Sequence, residues 1–208
     1  MDHLKPADKL FSHRLEMLSN VLIEVIMVNE QRKAFVTSPL FKRREQNDAV
    51  ETLLDTIVHY EISQLCKLWD EFDSDGFSLP TIASLLKGAD IRQLLNSPNT
   101  DGVVKLQTVL APAITAAETT AKSQQIRRIT NHRNKFIAHP IYRTRYEREH
   151  GVVEYPQMDD IDYAVKTAID IVQVFDNALA VKPCDFSKTR LEFGRHIKPF
   201  YDALDARL

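Results

Sequence analysis

The chain has 208 residues, of which 44% are hydrophobic and 27% charged, with a net charge of -2; that suffices for one domain with a substantial core and is marginal for two. No apolar run approaches the roughly 20 residues needed to cross a bilayer, and the start, Met-Asp-His-Leu-Lys-Pro, lacks the apolar stretch of a signal peptide, so a cytoplasmic protein without a membrane segment is expected. Cys66 and Cys184 lie far apart without metal-ligand spacing, which argues against a disulfide framework or a zinc site.

Only 5 glycines disfavour a turn-rich sheet protein and predict an all-α fold, a bundle of four long helices with short capping helices. Leu10, Leu15, Leu18, Leu22, Val25 and Ile26 recur at helical spacing and predict a first helix from about Ala7 to Phe35, ended by Ser38-Pro39. A second helix, capped by Asn47 or Asp48, buries Val50, Leu53, Leu54, Ile57, Ile62, Leu65 and Trp69 and stops at Asp73-Ser74-Asp75-Gly76. Short elements at Pro80 to Lys87 and Asp90 to Leu95, then a turn at Ser97-Pro98-Asn99, are expected to cap one end of the bundle.

Pro112 fits the first turn of a helix, which places the third long helix from about Ala111 to His139, with an earlier turn open from Val103. Pro140 disfavours helical geometry at the residue before it and leaves His139 at the helix exit. A basic loop, Ile141 to Gln157, follows and reads as mobile; the fourth helix runs from Asp159 or Asp160 to about Val181. The core of this single domain thus covers about residues 8–181. The tail, Lys182 to Leu208, with Pro183, Gly194 and Pro199, is expected to add one short helix and is a candidate for contact with a second subunit.

The third helix carries the unusual chemistry. At about 100° per residue, Ile126, Ile129, Thr130, Phe136 and Ile137 share an arc, and Arg133 falls among them. A guanidinium there must meet a carboxylate, reach water along its stem, or be reserved for an anion such as phosphate, because burying it unpaired costs several kcal/mol. Glu24, Asp55 and Glu61 are candidate partners for a purely internal ion pair. Arg128, His132, Lys135 and His139 form a second, cationic stripe. In a straight helix Arg133 and His139 stand about 120° apart and roughly 9 Å along the axis, so both can address one atom only if the exit at His139 bends.

Between Lys122 and Arg148 eight basic residues face one acid, Glu147, a local charge of +7 that leaves -9 for the rest of the chain. Such an asymmetry confines polyanion binding to one region, although a charge run of this kind is also what a solvated helix face looks like. Asp73 to Gly76 imitates a calcium loop but has Ile82 where the bidentate glutamate belongs. His132 and His139, about 10.5 Å apart along a helix, cannot hold one metal ion between them. No metal and no cofactor are expected.

Arg133, the polar Asn134 directly after it, and His139 five positions further on resemble the Arg, four-to-six residues, His motif of the HEPN superfamily. The form Arg-Asn-Lys-Phe-Ile-Ala-His, followed by a loop and a helix, is most similar to the abortive-infection U-type branch. The resemblance covers about residues 8–181. It implies an all-α homodimer, paired along the motif helices so that two motifs share one cleft, and a ribonuclease of a phage-defence or toxin-antitoxin system.

On that basis Arg133, His139 and Asn134 form a metal-independent endoribonuclease site. Histidine titrates near neutrality and arginine clamps phosphate while staying charged. Two His139 imidazoles, one from each chain, can divide the acid and base roles, with a 2′,3′-cyclic phosphate and a 5′-hydroxyl as products. Asn134 would orient the phosphate or the partner's motif. Arg128, His132, Lys135, Arg143, Arg145 and Arg148 would hold the RNA backbone, and an antitoxin or modifying enzyme is a further possible partner. Two other readings stand beside this one: a non-catalytic nucleotide- or RNA-binding module of the same fold, and a structural interaction protein in which Arg133 is an internal ion pair.

Overall fold

The computed structural model describes residues 9–88, 100–139, 141–179 and 184–206, and within these every regular element is helical. Helix α1 (Lys9–Thr37) buries Phe11, Leu15, Leu18, Leu22, Val25, Ile26 and Phe35. It ends where the Ser38 hydroxyl and backbone N–H both turn back to Phe35 O, and a 3-10 segment (Pro39–Gln46) follows. Helix α2 (Asp48–Trp69) starts at Asn47, whose side chain accepts the Ala49 N–H, with Asp48 and Glu51 favourably placed at the positive end of the helix dipole.

Helix α3 (Leu79–Lys87) is capped by Ser78 and inserts Leu79, Ile82, Ala83 and Leu86 into the main core. The turn before it uses Asp73 as a local acceptor for the Asp75 N–H, an ordinary turn device. The expected elements at 90–95 and 97–99 lie outside the described residues.

The long third helix expected from the sequence is divided. Helix α4 (Thr100–Ala121) contains Pro112 in its interior instead of its first turn, and Val103, Leu110, Ala113, Ile114 and Ala117 keep one buried stripe on both sides of the proline. The chain then breaks at Lys122 and Ser123, whose N–H groups bond to Thr119 O and Thr120 O. The Ser123 hydroxyl caps a new helix, α5 (Gln124–His132), by accepting the Ile126 N–H. A π-helical turn (Arg133–Ala138) continues α5.

The loop read as mobile holds a short helix, α6 (Arg145–His150), with a complete capping box between Thr144 and Glu147. Helix α7 (Met158–Leu179) packs mainly on α4 and α5.

The tail forms a fifth long helix, α8 (Phe186–Asp205), seated on α1 of its own chain. Tyr201, almost fully buried, meets Phe35 edge-to-face at 5.2 Å and accepts a hydrogen bond from Gln31. Arg190 pairs with Glu30, and Arg43 with Asp205. Gly194 permits the approach, since a Cβ there would stand 3.3 Å from the Glu30 carboxylate. The tail was expected to add one short helix; here it forms one of 20 residues with Gly194 and Pro199 within it.

One buried polar clamp fixes the register of α1, α2 and α7. Arg32 donates to Glu61 at 2.7 Å and to Asp162, while Asn29 donates to the same two carboxylates at 2.7 and 2.9 Å. Burial pushes the Glu61 carboxyl above its ordinary range, with Arg32 and Asn29 pulling against it. Glu61 is therefore committed to Arg32 and does not serve Arg133.

Candidate functional site

Arg133 sits where α5 becomes the π-helical turn, and its N–H is shared between Ile129 O and Thr130 O. Such wide turns inside helices recur at functional sites. Further on, the Ile141 N–H closes back onto Lys135 O at 3.1 Å. His139 leaves the helix in extended geometry, φ -143° and ψ 95°, which is the bent exit the sequence required; Pro140 itself lies outside the described residues.

The Arg133 guanidinium is held from two sides. Its Nη1 donates to both oxygens of Asp70, at 3.1 and 3.3 Å, and its Nε donates to the Asn134 Oδ1 at 3.0 Å. Asp70 is the residue that ends α2, so the partner of Arg133 is none of the three acids expected. The pair is half-buried, with the arginine side chain 26% and the aspartate 47% exposed. Nη2 makes no hydrogen bond among the described residues and remains able to donate. Asn134 acts on the arginine itself. One turn before Asp70, burial pushes the Cys66 thiol up to about 12 although Arg133 pulls it down, which makes it a core residue and no nucleophile.

His139 is exposed and makes no hydrogen bond or ion pair among the described residues. It follows the arginine's turn directly, so an oriented guanidinium opens the six-residue π-helical turn and a solvent-facing imidazole leaves it.

Three members of the cationic stripe beside them are engaged within the fold. Arg128 gives two hydrogen bonds to Asp160, at 2.9 and 2.6 Å, and a longer one to Glu154; it ties α5 to α7. Lys135 donates at 3.1 Å to the fully buried Glu147 carboxylate. His132 is enclosed by His59, Phe136 and Tyr155, with ring centroids at 5.6, 4.9 and 5.8 Å and both ring nitrogens buried without a partner. Burial, and then the neighbouring His59, hold its pKa below the ordinary value, so this imidazole stays neutral near pH 7. Arg128 and Lys135, expected on the RNA backbone, are thus each held by a carboxylate of the fold, and His132 is enclosed among aromatic rings with no polar partner.

The other three are on the surface. Arg143 lies over the Tyr142 ring at 5.7 Å, Arg148 reaches only the Arg143 carbonyl, and Arg145 pairs with Glu149 in the exposed manner that contributes little. Arg127, which the sequence reading left unassigned, covers the Tyr146 ring at 4.9 Å, and that ring stacks on His150 at 4.3 Å.

Glu147 is the residue that sequence reasoning valued least and the fold uses most. Its carboxylate receives Asn131 Nδ2, Lys135 Nζ and the backbone N–H groups of Thr144 and Val153, and Thr144 also bonds Asn131 through its hydroxyl. Burial works to raise its pKa, and these hydrogen bonds outweigh that effect and hold it below the ordinary range. The one acid of the basic segment therefore pins the loop 141–157 against the motif helix. Its signal was present in sequence: Thr144-x-x-Glu147 is a capping box. Asp70 gave no such signal, since its link to Arg133 spans 63 residues.

Among the described residues no group of three or more His, Cys, Asp or Glu is placed to hold a metal ion. No described helix is long and apolar enough to cross a membrane.

An all-α bundle carrying Arg133-Asn134 and His139 at the end of a distorted helix has the composition of a HEPN domain. The family model HEPN_AbiU2, described as AbiU2, matches residues 12–195, and the chain belongs to this family. Among curated proteins and among solved structures, nothing matches the chain.

Proposed function

We propose that this HEPN protein is a metal-independent endoribonuclease acting in phage defence or as the toxin of a toxin-antitoxin pair. The observation that carries the reading is the state of two side chains: Arg133 is oriented by Asp70 and Asn134 with Nη2 uncommitted, and His139 stands free in solvent three residues beyond Phe136. A guanidinium held in this way presents a donor to a phosphate oxygen without reorganising, which is how preorganised charge lowers a barrier. The imidazole can act as general acid or base. Attack by the 2′-hydroxyl on the adjacent phosphorus then breaks the bond to the 5′-oxygen, leaving a 2′,3′-cyclic phosphate and a 5′-hydroxyl. Base and acid are both needed, and one motif supplies one convincing imidazole, so the working unit is a homodimer whose two motifs share a cleft. An antitoxin or a modifying enzyme would keep such an activity in check.

The Asp70 contact also supports a second reading, in which Arg133 is an internal ion pair and the protein binds without cutting. Incubation of purified protein with labelled RNA in excess EDTA separates the two. Cleavage that vanishes in Arg133→Ala and His139→Ala, both folded, is the expected result. Activity that EDTA abolishes and a divalent ion restores overturns the mechanism, and intact RNA at every protein concentration favours the second reading.

A further inference from the structure

We propose that Phe136 and Tyr155 form a nucleobase platform beside the motif, making unpaired RNA the strand this protein engages; calling that strand the one it cuts rests on the ribonuclease reading above. The two rings lie 5.4 Å apart with planes 24° from parallel. They are 40% and 61% exposed, and His132 backs both of them from inside. Lys135 Nζ lies over the Phe136 ring at 5.4 Å, so Tyr155 is the more open of the two; an exposed and braced aromatic ring suits an unpaired base, because every base has a π-face to lay on it. A duplex keeps its bases stacked on each other and cannot supply one.

Position and charge point to the same occupant. Phe136 belongs to the π-helical turn that Arg133 opens and His139 leaves, which sets the platform on the same turn as the motif. Of the acids nearby, Glu147 is buried against Lys135, while Glu149 and Glu154 form exposed pairs with Arg145 and Arg128. Arg127, Arg143 and Arg148 form no ion pair among the described residues, and the first two lie over the tyrosine rings of 146 and 142. Tyr142 is 85% exposed. Arginines interleaved with exposed aromatic rings suit a polyanion carrying planar groups better than they suit an apolar protein surface.

The test uses full-length His139→Ala protein, so that RNA is not consumed. Its probes are a single-stranded RNA oligonucleotide containing 2-aminopurine and the same strand annealed to its complement. Binding of the single strand should quench the fluorescence and be at least tenfold tighter than duplex binding. Tyr155→Leu and Phe136→Leu, checked for folding by circular dichroism, should each lose about tenfold for the single strand, in line with one stacked base, and leave duplex binding unchanged. Tyr155→Trp should retain the affinity. Equal affinity for both forms, or unaltered single-strand binding in Tyr155→Leu, overturns the proposal. So does a dimer that falls apart in Tyr155→Leu by light scattering, since a second copy would then cover the rings. If the wild type cuts no RNA and the quenching persists, the ribonuclease reading fails and the platform stands.

Discussion

Asp70 and Arg133, 63 residues apart in sequence, meet where α2 ends and the π-helical turn begins, with one guanidinium nitrogen bridging both carboxylate oxygens. The contact fixes the plane of the guanidinium and leaves Nη2 as the donor for a ligand. If orientation is its purpose, Asp70→Ala should lower RNA cleavage by about 10- to 100-fold, as misplacement of a positioned group does, without lowering the melting temperature by more than a few degrees. Asp70→Glu should recover part of the rate. An unchanged rate in Asp70→Ala would mean that the arginine is oriented without it.

The Glu147 knot gives a prediction in pH. Its folded pKa is depressed, so the stability it contributes is present above the unfolded value of about 4.5 and is lost as pH falls through the folded one. Backbone amides at 144 and 153 should lose hydrogen-exchange protection on acidification before those of α2 do. Glu147→Gln should release the loop already at pH 7, at a cost of about 3 kcal/mol, because it strands a mostly buried lysine. Equal protection in variant and wild type would remove the knot from the account.

Asp176 has the opposite sign. Almost wholly buried on α7, its carboxyl is pushed up to about 7 by burial, with the Cys184 backbone and Ser19 pulling weakly against this. Its folded pKa is raised, so its contribution is most favourable below the unfolded value near 4 and is lost as pH rises through about 7. Asp176→Asn should therefore stabilise the protein more at pH 8 than at pH 5, by roughly 3 kcal/mol from the linkage slope. Thermal unfolding at both pH values measures the difference, and parallel shifts at the two would count against it.

Helix α8 should behave as part of the chain's own core. Tyr201→Ala removes a buried ring from between Phe35 and Gln31 and should cost about 3–5 kcal/mol; Tyr201→Phe, which loses only the hydrogen bond, about 1 kcal/mol. Were the tail instead an arm for a second subunit, truncation after Asp185 would change the oligomeric state and leave monomer stability intact.

A mixed dimer tests the shared cleft. With one His139→Ala chain and one wild-type chain, carrying different tags and co-purified, both arginines remain and one proton-transfer group is lost. A single acid or base contributes about 100- to 10,000-fold, so the rate should fall far below half. A rate near half the wild-type value would give each chain a complete site.

The sequence by itself determined the local matters. The spacing of Leu15, Leu18, Leu22 and Ile26, the Asn47 cap, the start of α7 near Asp159 and the all-α class follow from periodicity and capping, which act over a few residues. The HEPN membership was carried by Arg133, Asn134 and His139 at their spacing. The structure decided what depends on meetings across the chain. It chose Asp70 as the arginine's partner, took Arg128 and Lys135 for Asp160 and Glu147, closed His132 behind Phe136 and Tyr155, and laid the tail along α1. A charged stripe on one helix has the same sequence whether it faces water, a ligand or another helix. Only packing distinguishes these, because the cost of leaving a buried charge without a partner is incurred once the helices have met.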